Sequence, residues 1–312
     1  MTALAADPRP VVPGGPAPRG LPPAVALLCL VVAVASAVAA AAGLAWPGGG
    51  VPATVTSLRG EEVALYGEGL YRWESAFKGG SYRGADLVTL ALAVPLLLAA
   101  LARARRGSLP ALLLLAGTLS WTLYSAATLS VAAVYNPLFL LYVLAFSSSL
   151  FALGGVLATV PLPLLDRRLE GRAPRVGLSR LLAVAGVVTA GVWLLGLVPP
   201  LVAGEPPAKL DLGVTAVTEA LDLAVITPAA LWAAWLLARR RPLGYLVGVP
   251  LVVLLVALLP VVVSQTAFQL AAGVTFTPGE VVGPISGFLV LAAVALPLLV
   301  RTLRAAAAEP VP

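Results

Sequence analysis

The sequence predicts an all-α fold: a polytopic bundle of about eight transmembrane helices with a small extracytoplasmic loop cap. The first reason is composition, because 60% of the 312 residues are hydrophobic, only 11% are charged and the mean hydropathy is +1.00. A soluble domain carries about 25% charged residues, so this many apolar side chains need lipid as their solvent. The other two reasons are the length of the apolar runs and the arginine clusters between them.

Each apolar run can be judged against the thickness of a bilayer. A helix needs about 20 apolar residues, at 1.5 Å each, to cross a hydrocarbon core of ~30 Å. Such runs fall at roughly 23–45, 86–102, 109–132, 137–160, 180–202, 213–238, 243–264 and 284–303. The second run is short, and we expect it to borrow residues from its flanks.

The runs define a transmembrane helical domain over residues 23–304 with a tail at each end. Residues 1–22 are rich in Pro, Gly and Ala without an apolar period, which predicts a disordered cytoplasmic tail. Residues 305–312 are expected to form a short cytoplasmic tail. The first run also resembles a secretory signal peptide, and cleavage would leave seven helices. Its length favours a retained helix, since signal peptides carry about 7–15 apolar residues.

Basic residues predict the orientation of the helices. The two tails and alternate loops carry 15 Lys and Arg residues, whereas the opposite set of loops carries 5. Positive residues favour the cytoplasmic side of a membrane. We therefore expect a multi-pass protein of the cell (plasma) membrane with both termini in the cytoplasm.

The longest hydrophilic loop, at about 46–84, is predicted to lie outside. Within it, Val63–Tyr66 and Leu70–Trp73 flank two glycines and favour a short hairpin. The alternative is an interfacial helix, because Tyr66, Leu70, Trp73 and Phe77 recur at helical spacing. Either structure would form a small cap rather than an independent domain.

The chain also carries signs of an internal duplication. Asp86 precedes Pro95 and an arginine cluster, and Asp222 precedes Pro228 and a second arginine cluster at similar spacing. This pattern predicts two halves of four helices, at roughly 23–160 and 180–304, in a 4+4 parallel repeat. The shared positions are few and the surrounding sequence is rich in Ala and Leu, so chance similarity is an equal alternative.

The absence of histidine and the single cysteine exclude several classes of chemistry. His-ligated haem, His/Cys zinc sites, Ser-His or Cys-His nucleophiles and intrachain disulfides are all ruled out. Cys29, inside the first run, is predicted to be a small buried hydrophobe. The sequence indicates no metal site and no cofactor, and the arginines lack the interleaved aromatics of a nucleic-acid surface.

Glu219 and Asp222 are the most informative polar residues, because they interrupt the sixth apolar run. Rotation by 100° per residue places them on one helix face together with Thr215 and Thr218. An Asp near the centre of a membrane helix costs about 2.5–3.5 kcal/mol on insertion scales, and such residues often mark ion or proton paths. The alternative is a structural polar contact in which the pair shares a proton.

Three further residues are candidates for substrate or ion binding, each with a structural alternative. Asp86 follows a glycine at the predicted start of the second span, where helix capping would explain it. Tyr124 belongs to a polar stripe on the third span that would line a cavity or pack against a neighbouring helix. Gln265 lies at the end of the seventh run, where emergence into water would explain it.

The other members of the third-span stripe are Gly117, Ser120, Thr128 and Tyr135. Packing, with the hydroxyls bonded to their own helix, is the favoured interpretation of this stripe. Because the polar residues Asp86, Tyr135, Glu219, Asp222 and Gln265 all fall in the outer half of the bundle, the sequence predicts an outward-facing polar vestibule.

Two functions from different classes fit these features. The first is a small-solute or cation/proton-linked permease, with Glu219 and Asp222 binding the ion. The second is a non-transporting sensor, assembly factor or complex subunit that binds a ligand or a partner helix. An enzyme is the least supported class, because no catalytic set is clustered in the loops. The lipid bilayer is the certain partner, and an oligomer or a partner subunit is compatible with both functions.

Overall fold

A computed structural model describes residues 20–49, 53–207 and 210–308. In these ranges eight helices are long and apolar enough to cross a membrane, which confirms the predicted all-α polytopic bundle. We call them spans 1 to 8: Pro23–Ala45, Ala76–Ala104, Leu109–Ala132, Phe139–Thr159, Arg175–Ala203, Val217–Ala238, Leu243–Ala271 and Pro278–Ala307. Most of the predicted tails at 1–22 and 305–312 lie outside the described residues.

The second span departs most from its predicted bounds. It begins at Ala76, ten residues before Asp86, and Ser75 caps it by accepting a hydrogen bond from the Lys78 amide. The capping interpretation of Asp86 is therefore wrong, because this carboxylate lies in the third turn of the helix. The preceding loop is correspondingly shorter than predicted, and we call its described residues, 46–49 and 53–75, the cap.

The cap contains a two-stranded antiparallel sheet that precedes the predicted hairpin in the chain. Of the predicted hairpin itself only an isolated antiparallel bridge forms, between Leu65 and Ser75, next to a hydrogen bond from the Tyr66 amide to the Glu74 oxygen. Strand β1, Thr54–Thr56, pairs with strand β2, Glu62–Ala64. The Ser57 side chain accepts hydrogen bonds from two backbone amides of the connecting turn, which closes the hairpin earlier in the chain than predicted. Residues Gly69–Tyr71 form a 3₁₀ turn instead of a strand, and the alternative interfacial helix is absent from the cap as well.

Spans 2 and 6 share a backbone irregularity. Each contains a π-helical segment, Thr89–Ala93 in span 2 and Asp222–Ile226 in span 6. A proline follows six positions after the start of each segment, at Pro95 and at Pro228. The ring of a proline collides with the preceding turn of an α-helix, and a locally wider helix relieves this collision.

The π segments bear on the predicted duplication. When the two halves are aligned on their π segments, Asp222 corresponds to Thr89 and Glu219 corresponds to Asp86. This alignment is shifted by three residues from the one based on the arginine clusters, which paired Asp86 with Asp222. Neighbours follow a similar order in the two halves, since span 1 packs on span 2 and span 5 on span 6, while spans 3 and 7 pack against both their sequence neighbours. The duplication itself stays a prediction.

The core lies between spans 2, 3 and 7. A large cluster of buried Leu, Val and Ala side chains fills it towards the arginine-bearing loops, and Cys29 is fully buried within the same cluster, as predicted. Spans 2 and 7 approach closely, because a Cβ added at Gly84 would overlap the Gln265 backbone and one at Gly80 would overlap that of Gln269. Small residues allow such close helix packing in membranes.

Loops from both halves meet at the cap. The Arg59 guanidinium donates to the backbone oxygens of Asp211 (2.5 Å) and Gly213 (3.2 Å), and Ser75 donates to the Asp211 carboxylate (2.6 Å). These bonds tie the segment that leads into span 6 to the cap. We refer to this end of the bundle as the cap side and to the opposite end as the arginine side.

Candidate functional site

The Asp222 carboxylate is held by donors from two other spans. Tyr124 of span 3 donates its hydroxyl to Oδ1 at 3.0 Å, and Trp193 of span 5 donates its indole N–H to Oδ2 at 2.8 Å. Asp222 itself is the first residue of the π segment of span 6. Three spans therefore converge on one partly buried carboxylate on the cap side of the bundle.

Glu219 lies one helical turn before Asp222, on the same face of span 6. It is partly buried, and within the described ranges its carboxylate has no hydrogen bond or ion pair with another side chain. The described ion pairs, Arg59–Glu61 and Arg83–Glu68, leave both span 6 carboxylates without a basic partner. The two carboxyl groups of the site therefore carry either negative charge or bound protons, and only Asp222 has hydrogen-bond donors, Tyr124 and Trp193.

The predicted third-span stripe divides into packing residues and one site residue. Ser120 and Thr128 bond to backbone oxygens of their own helix, and Gly117 abuts Val253 of span 7 so closely that a Cβ would overlap it. Packing therefore explains these three, as favoured from the sequence. Tyr124 is the exception because its hydroxyl reaches Asp222. Tyr135 lies beyond the end of span 3 and is exposed.

Asp86 belongs to a second, separate cluster. Its Oδ2 accepts a hydrogen bond from the Tyr71 hydroxyl at 2.7 Å, and a Cβ added at Gly43 of span 1 would overlap the carboxylate. Asp86 is 5% exposed and Tyr71 is 2% exposed. The Tyr142 hydroxyl is buried beside the Tyr71 hydroxyl and the Asn136 side chain. Asp86 and Asp222 thus bond to different side chains.

Tyr71 itself lies in the cap rather than in a span. Burial, followed by the negative charge of Asp86, raises the pKa of the Tyr71 phenol well above its usual range. The phenol therefore stays protonated and donates to the carboxylate.

The glutamines of span 7 pack against span 2 rather than emerging into water. Gln269 is buried and donates its side-chain amide to Ser81 Oγ at 2.7 Å and to the Phe77 oxygen at 3.3 Å. Gln265 is partly buried, and its backbone lies against Gly84. The expected emergence into water is therefore wrong, because the helix continues to Ala271. No hydrogen bond or close contact described for Gln265 reaches Asp222.

Glu74 is a buried acid of the cap that sequence reasoning missed. It is 2% exposed, and its Oε1 accepts the Val134 amide at 2.5 Å, which joins the cap to the turn between spans 3 and 4. Burial raises the pKa of Glu74 from 4.5 to about 7, against the opposing effects of the Val134 amide and the Lys78 charge. In the sequence this residue looks like any loop glutamate.

Trp193 was missed for a different reason. A tryptophan inside a span is ordinarily an apolar side chain, and only its position opposite Asp222 gives the indole N–H a partner. A weaker parallel exists at the other π segment, where the Trp121 indole donates to Thr89 Oγ1 at 3.2 Å. A tryptophan on a neighbouring span therefore marks the start of each π segment.

The acidic side chains of the described residues are not grouped as a metal centre requires. No group of three or more His, Cys, Asp or Glu side chains suited to a metal ion occurs in the described ranges. The carboxylates of span 6 and the Tyr124 hydroxyl are oxygen ligands of the kind that bind protons or small hard cations.

Comparison with known protein families, with curated proteins and with solved structures finds no match for this chain. Eight apolar spans define it as a multi-pass membrane protein.

Proposed function

We propose that the protein is a cation- or proton-linked permease for a small solute, with its ion site at Asp222 and Glu219. One observation supports this above the others. A carboxylate inside an apolar span is held by Tyr124 and Trp193 from two other spans, beside a second carboxylate, and no basic side chain is described near either. Intramembrane acids with such surroundings commonly mark ion and proton paths.

The charge balance of the site favours an ion or a proton as ligand. Two carboxylates one turn apart repel each other, and the apolar surroundings penalise each negative charge. Two neutral donors offset part of this cost at Asp222, but Glu219 has no described donor. A bound cation or proton would offset the remaining cost of the two negative charges, which gives the site an affinity for positive charge.

The positions of the two donors link binding of an ion or proton at Asp222 to the relative arrangement of spans 3, 5 and 6. Tyr124 and Trp193 lie on spans 3 and 5, so binding at Asp222 favours one relative arrangement of three spans. The apolar core closes the bundle towards the arginine side, whereas polar side chains gather on the cap side. In this proposal the structure represents a state accessible from the cap side, and the cap side faces outwards.

The test is transport by protein reconstituted in liposomes under a proton or sodium gradient. We expect Asp222→Asn and Glu219→Gln to abolish gradient-driven uptake, and Tyr124→Phe to weaken it because one donor is lost. Glu205→Gln is the matched control, since Glu205 is an exposed acid that follows span 5. Flux that survives in the Asp222→Asn/Glu219→Gln double variant would refute the proposed ion site.

A second function is favoured by a different observation. Few residues of spans 5 and 8 are buried, and Leu195, Leu201, Val282 and Val290 are among their exposed apolar side chains. These faces suit lipid, but they also suit the helix of a partner subunit or of a second copy. The alternative is thus a non-transporting sensor, assembly factor or complex subunit. It is supported if a broad solute panel gives no flux and span 6 variants instead lose a copurifying partner.

A further inference from the structure

A cleft at the edge of the cap has neither Asp86 nor Asp222 in its lining. It has a volume of about 240 Å³ and lies between the end of span 1, the cap and the turn from span 3 to span 4. Its distinctive side chains are Trp46, Arg72, Trp73, Tyr135, Asn136 and Pro137. Small-molecule pockets usually measure about 300–1,000 Å³, so this cleft suits one fragment of a larger ligand.

Arg72 gives the cleft a positive charge. Its side chain is exposed, its guanidinium lies 5.6 Å from the centre of the Trp73 ring, and no acid is described as its ion-pair partner. Asn136, by contrast, is occupied in the turn, because its side chain bonds to Val134 and Leu138. A guanidinium binds phosphate through two parallel hydrogen bonds. The polar fragment that fits here is therefore anionic.

The aromatic side chains place the cleft at headgroup depth. Trp46 follows the last residue of span 1 directly, and Pro137 lies two residues before the first residue of span 4. Trp73 is 55% exposed and Tyr135 is 77% exposed. Tryptophan and tyrosine concentrate where a bilayer meets water, since their rings are apolar and their N–H or O–H groups are polar.

Exposed apolar side chains follow the cleft wall along span 4. Leu140, Leu144 and Phe151 of span 4 are exposed on one helix face, immediately beyond the turn that forms the cleft wall. The spacing of four and then seven residues keeps them in one row. A ligand with its anionic head in the cleft would therefore lay its hydrocarbon tail along this row.

We propose that the cleft binds the headgroup of an anionic phospholipid from the leaflet on the cap side. Arg72 binds the phosphate, the rings of Trp46, Trp73 and Tyr135 pack around the glycerol and the first methylenes, and the acyl chains lie on span 4. This proposal does not depend on the function proposed for span 6.

The test uses quenching of tryptophan fluorescence by brominated lipids in nanodiscs. Protein is placed in phosphatidylcholine with a minor fraction of either brominated phosphatidylglycerol or brominated phosphatidylcholine. We expect the brominated anionic lipid to quench more strongly. Loss of the bidentate contact in Arg72→Gln should weaken the apparent affinity for the anionic lipid about tenfold, the factor that corresponds to 1.4 kcal/mol.

Two variants make this result specific. Trp73→Phe should remove much of the excess quenching, because it removes an emitter at the site. Arg105→Gln, which lowers the net charge equally on the arginine side, should leave the excess unchanged, and thermal unfolding confirms that each variant is folded. Equal quenching of the wild type by both lipids overturns the proposal. Competition by soluble glycerol phosphate would overturn the lipid as source and assign the cleft to free phosphate esters.

Discussion

Because Glu74 is buried in the cap, we expect the free energy of unfolding of the protein to fall as the pH rises. This buried acid of the cap has a pKa of about 7 in the folded protein and an ordinary value of 4.5 when exposed. Below pH 4.5 Glu74 is protonated in both the folded and the unfolded state, so its ionisation does not change the free energy of unfolding. Between the two values the unfolded chain releases its proton while the folded protein keeps it, so stability falls as the pH rises. Above about pH 7 the loss is complete.

The magnitude follows from the two pKa values. Each tenfold difference in acidity constant corresponds to about 1.4 kcal/mol, so ionisation of Glu74 costs the folded state about 3 kcal/mol. The residue is almost fully buried, so little screening by solvent reduces this figure. The hydrogen bond from Val134 and the charge of Lys78 already act in the opposite direction and leave burial as the dominant cause.

Glu74→Gln tests this reasoning because glutamine keeps an acceptor for the Val134 amide but cannot ionise. We expect the variant to match the wild type at pH 4.5 and to exceed its unfolding free energy by up to about 3 kcal/mol at pH 8.5. The measurement is thermal and denaturant unfolding in detergent, followed by tryptophan fluorescence. Hydrogen exchange of the Val134 amide, corrected for the intrinsic pH effect, reports the cap locally.

Glu62→Gln is the matched control, since Glu62 is an exposed acid of strand β2 in the same cap. It should leave the pH profile of the wild type unchanged. If Glu74→Gln and the wild type lose stability in parallel between pH 4.5 and pH 8.5, then burial does not raise the pKa of Glu74 as argued, and the reasoning fails.

Two further predictions follow from close packing and from orientation. Gly43→Ala should destabilise the bundle by about 1–3 kcal/mol in unfolding experiments, because the added Cβ would overlap the buried Asp86 carboxylate. Gly191→Ala is the control, since a Cβ at Gly191 meets only open space, and its effect should stay within about 0.5 kcal/mol. Equal effects of the two substitutions would contradict the described packing. In a Cys29→Ser background, a cysteine at Glu68 should react with an impermeant maleimide added to intact cells, and one at Arg105 should react only after permeabilisation. The reverse labelling pattern would invert the predicted topology.

Span positions could be predicted from the sequence because the requirement is local. A helix in lipid must be apolar over the bilayer thickness, so spans 1 and 3 were predicted at the bounds that the structure gives. The start of span 2 could not be predicted in this way. Residues 76–85 include three glycines and two basic residues. They are helical because Gly80 and Gly84 let span 7 pack directly against the backbone.

The candidate site shows the same division. Helix periodicity alone placed Glu219 and Asp222 on one face of span 6, since rotation per residue is a fixed property of the α-helix. Periodicity says nothing about what lies opposite that face. Tyr124 is 98 positions from Asp222 and Trp193 is 29 positions from it. Both partners depend on how spans 3, 5 and 6 pack.

What the sequence by itself determined is therefore the class of protein, the number of spans and the residue face that carries the acids, because hydrophobicity, length and helical rotation are encoded locally. Only the tertiary structure decided that Asp86 bonds to Tyr71 while Asp222 bonds to Tyr124 and Trp193, and that Glu74 is buried beneath the cap. The physical reason is that hydrogen bonding and desolvation of a side chain are set by neighbours distant in the chain, which packing alone brings together.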